Sequence, residues 1–132
     1  MGARLQYAKV IDRQLFYERG GRVHPKLESE VVVREEPGTA GAFLVLRGWT
    51  GDHGSFTERW AIRSPGSATL YTSVPRELHL ATESHVERLE DEVADLEVDA
   101  AAEDYELVLF LDDREIARAR FEVKVAGSEP PT

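Results

Sequence analysis

The chain has no cysteine and no asparagine, its one methionine is the first residue, and only three of its sixteen basic residues are lysine. Without cysteine there can be no disulfide, zinc–thiolate site or thiol nucleophile. The longest uncharged apolar runs, "AGAFLVL" and "LVLFL", fall far short of the roughly 20 residues that span a bilayer. The opening "MGARLQYAKVIDRQ" lacks the apolar centre of a secretory signal, because charges interrupt it early. These absences lead to the expectation of a soluble, cytoplasmic, bacterial-type protein. Few thermolabile side chains and many charges match a thermophile pattern. The excess of arginine over lysine fits a GC-rich genome better, since the proteome-wide thermophile signal is lysine with glutamate.

What is present is enough for one core. Of 132 residues, 42% are apolar, sufficient for one domain that needs no covalent staple. The domain is expected over residues 1–126, with 127–132 as a tail within "AGSEPPT". Twenty-five acidic against sixteen basic residues give a net charge of −9. An acidic surface of this kind repels phosphate backbones and anionic headgroups, so neither nucleic acid nor membrane is an expected partner.

Period-two patterning dominates. In "REIARARFEVKV", Ala117, Ala119, Phe121, Val123 and Val125 alternate with Arg118, Arg120, Glu122 and Lys124, the pattern of a strand with one dry face. In "DYELVLFLDD", Tyr105, Leu107, Leu109 and Leu111 share one face, while Val108 and Phe110 make the other apolar too, which places this strand deeper. Asp112 and Asp113 join the two as a tight hairpin without the usual glycine. Further strands are expected in "LQYAKVI", "QLFYE", "ESEVVVRE", "AFLVLRGW", "FTERWAIRS" and "ATLYTSV", separated by "RGGR", "EPGTAG", "TGDHGS" and "SPGS". Seven to nine short strands with turns about every ten residues indicate an all-β antiparallel sandwich or barrel.

One segment reads two ways. In "SHVERLEDEVADLEVDA", Val86, Leu89, Val93 and Leu96 follow helical spacing, and Ser84 with Glu87 matches a capping box. A helix within 84–98 would carry an apolar stripe for a partner. Alternatively "HVERLE" is a strand, followed by a loop whose Val93 and Leu96 plug the core. Periodicity does not separate the two.

No residue constellation carries recognisable catalysis. His79 and His85 lie six apart, roughly 20 Å in an extended strand, and neither His24 nor His53 adds a ligand pair. Asp52, His53 and Ser55 crowd one loop, whereas triads are assembled from distant segments. "GWTGDHG" lacks phosphate-loop spacing and a following lysine. The acidic residues Glu90, Asp91, Glu92 and Asp95 do not follow the calcium-loop pattern and read as a solvated face. No cofactor or metal is expected. Trp49, His53, Phe56 and Trp60 flank a glycine loop and form the one candidate binding patch. The reading preferred for both tryptophans is that they are core plugs, since large aromatics dominate cores.

The stretches "ADLEVDAAAEDYELVLFLDDREIARARFEV" and "WAIRSPGSATLY", and more loosely "LQYAKVIDR", resemble small stand-alone bacterial immunoglobulin-like β-sandwich proteins whose function is uncharacterised. The resemblance implies a sandwich, favours strand plus loop over 84–98, and makes Tyr105 a candidate for the hydroxyl-to-backbone corner bond of such folds. The functional expectation is a non-enzymatic module for protein interaction or assembly, with an unidentified protein partner and a homodimer as a secondary arrangement. The alternative is small-molecule binding or hydrolysis at the loop between Trp49 and Trp60.

Overall fold

The computed structural model describes residues 2–35, 38–66, 68–98 and 105–125. These comprise β1 (Arg4–Asp12), α1 (Arg13–Glu18), β2 (Glu30–Glu35), β3 (Thr39–Ala40), β4 (Phe43–Thr50), β5 (Gly54–Arg63), β6 (Thr69–Thr72), β7 (Arg76–Leu80), β8 (Glu87–Val93), β9 (Tyr105–Leu111) and β10 (Arg114–Val125). The fold is all-β with one short helix. None of the described helices is long and apolar enough to cross a membrane. The expected tail at 127–132, the first two residues of the "EPGTAG" turn and the stretch 99–104 before Tyr105 lie outside the described residues.

The strands run in the order β6-β5-β9-β10-β2-β1-β4-β8, with β7 also on β5 and β3 also on β2. β10 belongs to both halves of this path. Residues 114–121 pair with β9, and residues 122–125 pair with β2. The path thereby folds into two facing layers, β5-β9-β10 and β1-β4-β8, which match the C-F-G and A-B-E orders of an immunoglobulin-like sandwich. One cluster fills the space between them. It draws Val45, Trp49 and Val93 from one layer and Trp60, Leu78, Leu107, Leu109 and Phe121 from the other.

Two pairings depart from a purely antiparallel expectation. β1–β2 and β2–β10 are parallel. Parallel neighbours need a long crossover, and residues 13–29 supply one between β1 and β2. That crossover begins with α1, where "QLFYE" was expected to be a strand. The physical reason lies just upstream: the Asp12 carboxylate accepts from the Leu15 backbone N–H at 3.1 Å and caps the first turn. Gly20 and Gly21, both at positive φ, then end it. Phe16 of α1 packs with Ile11, Leu27, Leu44 and Leu46 in a second apolar cluster. It covers the outer face of the β1–β4 layer.

The ambiguous segment is the strand β8, not a helix. Leu89 and Val93 both face the core, because four residues is an even separation in a strand. Asp95 at φ 58 breaks the extended run, after which Leu96 packs back onto the core. The helical stripe mixed odd and even positions and had no single face here. Two strands were not foreseen. β3 is two residues long, and β7, "RELHL", directly follows Pro75, which reads locally as a stop. The hairpin between β9 and β10 places Asp112 and Asp113 at φ 50 and 63, both positive as a type I′ turn requires. Asp112 tolerates this because its carboxylate accepts from the Thr57 N–H at 2.9 Å and its own N–H donates to the Thr57 carbonyl at 2.9 Å.

Gly48 on β4 faces Tyr7 on β1, its partner in register. A Cβ at Gly48 would lie 2.3 Å from the Tyr7 ring. Burial pushes the Tyr7 phenol above its ordinary pKa, against the opposing pull of Arg88 and Arg47. Gly48→Ala is therefore expected to displace the ring and lower stability by about 1–3 kcal/mol. A urea midpoint unchanged by the substitution would show that the ring moves aside without cost.

Candidate functional site

The four residues of the sequence-derived patch do not share a surface. Trp49 and Trp60 are 0% and 1% exposed, Phe56 packs half-buried against the core, and only His53 stands out in solvent, beside Asp52. The patch is corrected accordingly: both tryptophans are core plugs. The reason is visible in the alternation of their strands, since Trp49 and Trp60 each occupy an inward position. Ser55 hydrogen-bonds His79 at 3.3 Å, not His53. The two are exposed cross-strand neighbours on β5 and β7.

Between the layers lies a buried ionic cluster. Arg47 (0% exposed) reaches from β4 to Glu58 (1%) on β5, with Nε to Oε2 at 2.9 Å and Nη2 to Oε1 at 2.5 Å. Its Nη1 donates to the Val45 carbonyl at 2.9 Å. The Trp49 indole N–H donates to Glu58 at 2.6 Å. On β8, Asp91 forms an ion pair with Arg47 at 3.1 Å, accepts from the Trp60 indole at 2.9 Å, and also pairs with Arg76 of β7. Two cations and two anions balance, and among the described residues no buried side-chain polar atom lacks a partner. Sequence reasoning missed this cluster. The signal was available: the inward row Phe43, Val45, Arg47, Trp49 and the inward row Phe56, Glu58, Trp60, Ile62 each hold one charge, of opposite sign. Asp91 was read as solvated and is instead the outer end of the cluster.

The two free edges of the sandwich differ sharply. β8 closes one layer and carries Glu87, Arg88, Glu90 and Glu92, charges that blunt an edge against further pairing. β6 closes the other with "TLYT", which has no charge, and all four residues are exposed. Five large apolar side chains are exposed among the described residues, and three of them, Leu70 (36%), Tyr71 (37%) and Val74 (82%), sit on this edge. Tyr71 stacks on Trp60 at 5.3 Å, so one of its faces is committed inward. Between β6 and β7 the Ser73 N–H donates to the Trp60 carbonyl at 2.8 Å, and the Ser73 hydroxyl accepts from the Trp60 N–H at 2.9 Å. This pins the edge while Val74 projects from it.

A cleft of about 350 Å³ opens beside Leu70, lined by Gly38, Thr39, Ser64, Val98 and Tyr105 among others. None of Trp49, His53, Phe56 and Trp60 lines it. It lies at the Arg63 end of β5, opposite the glycine loop. Tyr105 opens β9, buried against Phe121 with ring centroids 5.7 Å apart.

No family model matches the chain, and no curated protein does. Among solved structures, a glycosyl hydrolase family 2 member from Bacteroides cellulosilyticus is similar over 64% of this chain and 12% of its own, at 14% identity and a TM-score of 0.48. An alkylpurine DNA glycosylase from Pseudomonas fluorescens, bound to DNA containing an abasic site analogue, is similar over 92% of this chain and 30% of its own, at 7% identity and a TM-score of 0.48. An immunoglobulin-like protein from Pseudomonas aeruginosa is similar over 94% of this chain and 98% of its own, at 13% identity and a TM-score of 0.45. The chain thus spans only a small part of the first two.

Proposed function

We propose that this β-sandwich is a non-enzymatic module for protein interaction, and that it meets its partner along β6. The observation that carries the reading is the contrast between edges: β8 is guarded by charge, whereas β6 offers uncharged, exposed backbone flanked by Leu70, Tyr71 and Val74. An edge strand without guards is a template for a further strand, and strand addition is a recurring mode of peptide recognition. The non-enzymatic part of the reading draws support from the ionic cluster, whose buried charged groups are spent on one another. Either a second copy or another chain can fill such an edge.

A photo-crosslinking residue introduced at Val74 tests this, alongside a control at Lys124 on the far side of the fold. The Val74 probe is expected to trap one reproducible protein, or a second copy, and to lose it when Leu70→Lys is added. Leu70 is partly exposed, so that change should alter stability by only about 0.5 kcal/mol. Equal trapping from both positions, or trapping indifferent to Leu70→Lys, would remove β6 as the contact.

A further inference from the structure

We infer that the β6 edge receives an extended segment rich in carboxylates, not a second copy of this chain. The inference rests on the edge reading above and names the chemistry of its occupant. Its basis is a charge anomaly on β5, the strand just inside the edge. In a chain with 25 acidic and 16 basic residues, Arg59 and Arg63 on the outer face of β5 form no close salt bridge with any described residue, although Arg63 stands opposite Glu106 in register and its charge acts on Glu115. The carboxylates nearest in register, Glu106 and Glu115, are already held by Arg118, at 3.4 and 2.9 Å. Arg59 is stacked on the Phe110 ring at 4.2 Å, a contact that orients the guanidinium without neutralising it.

The edge leaves both arginines within reach of an added strand. Arg63 pairs in register with Thr69 of β6, and Ala61 with Thr72. The side chains on the outer side of β6 are thus short and neutral. A strand added beyond β6 would run two ladder spacings from β5, roughly 10 Å, with Thr69, Thr72 and the bulged Leu70 between. Arg59 lies where β6 has ended and the Ser73–Pro75 break begins, beside the projecting Val74. The two arginines are four residues apart on one face, about 13 Å. Carboxylates on alternate residues of an extended segment repeat at half that distance, so two of them meet two guanidiniums in register. The forked N–H groups of arginine suit carboxylates. The opposite side of the same segment would face Tyr71 over Trp60 and favours apolar side chains. A second copy fits less well. Two-fold pairing of β6 with itself would place the Arg63 side chains of both copies on one continuous face.

The probe is a blocked nine-residue peptide alternating valine and glutamate, carrying a fluorophore, compared with the same peptide with glutamine for glutamate. Binding to the whole protein is read by anisotropy, and the site by amide shifts of Thr69–Thr72. The acidic peptide is expected to bind at least tenfold more tightly than the glutamine peptide, to weaken as salt rises, and to lose that advantage with Arg59→Gln and Arg63→Gln together. Thermal melting checks that this variant is folded. Equal binding of both peptides, abolished by Leu70→Lys, would overturn the carboxylate inference and leave the edge reading intact. Failure of both peptides, with concentration-dependent dimers lost in Leu70→Lys, would make the occupant a second copy and overturn it as well. Failure of both peptides with a strictly monomeric protein would overturn the inference. Trapping at Val74 would then decide the edge reading separately. A single-stranded oligonucleotide that matches the acidic peptide in affinity and shifts would overturn the polypeptide as occupant.

Discussion

Replacing Arg47 with methionine is expected to destabilise the fold by about 3–5 kcal/mol, because it strands a buried carboxylate that has lost its counter-charge. Glu58 would keep only the Trp49 indole N–H, and Asp91 would keep Trp60 and Arg76. Against a total stability of about 5–15 kcal/mol for a domain, this is a large fraction. The melting temperature should fall by on the order of 10 °C or more. The companion variant, Arg47→Met with Glu58→Leu, removes both charges and should recover most of the loss, since apolar replacement of a buried ion pair is often neutral or better. Recovery should stop short by about 1–3 kcal/mol, the cost of leaving the Trp49 N–H without an acceptor. An Arg47→Met protein as stable as the parent, or a double variant no better than the single, would show that Glu58 does not depend on Arg47 for its counter-charge.

Trp60→Ala is the second large effect, expected at about 3–5 kcal/mol from the cavity and lost contacts. Trp60 touches three separate systems: it stacks with Tyr71, donates to Asp91 and lies under Arg47, 6.0 Å from the guanidinium carbon to the ring. Trp60→Phe separates these contributions. It keeps most of the ring and removes the N–H, so it should cost only about 1–3 kcal/mol. Urea unfolding followed by fluorescence of Trp49 and by circular dichroism measures both, with an unchanged m-value confirming that the same surface is exposed. If alanine and phenylalanine cost the same, the polar contact outweighs the packing. Loss of Trp60 also frees Tyr71, so the alanine variant should disturb the β6 edge while the phenylalanine variant spares it.

Much of the fold was legible because burial in a sandwich follows alternation. β9 and β10 were placed by their period of two, including the deeper setting of β9, and the Asp112–Asp113 turn by its position between them. The resemblance to immunoglobulin-like sandwiches favoured strand plus loop over 84–98, and the strand does form, but it runs on to Val93 where a loop was expected after Glu90. What escaped was set by contacts distant in sequence. α1 is six residues long, too short for periodicity to register, and was marked only by the Asp12 cap and the two glycines after it. β7 followed a proline that ended β6 yet left the chain on the same edge. The parallel pairings depend on where a crossover lands, which local pattern does not encode. The ionic cluster was missed for a different reason. A charge on an inward position looks like a flaw in the pattern until its partner, on another strand, is found. The reading of Trp49 and Trp60 as core plugs holds, as the inward parity of both residues requires, and only the patch that needed them exposed is lost.

The long strand β10 pairs with β9 along its first two-thirds and with β2 along its last four residues. Neither layer can lose this strand without opening the other, so the sandwich is joined along that side by backbone bonds as well as by its core. The opposite side, where β7 meets β8, has no such shared strand. Opening short of global unfolding is therefore expected to begin on that side, as earlier amide exchange in β7 and β8 than in β10 would show. The sandwich behaves as a hinged book whose spine is β10 and whose fore-edge, clasped by Arg76 and Asp91, holds the pages that can part.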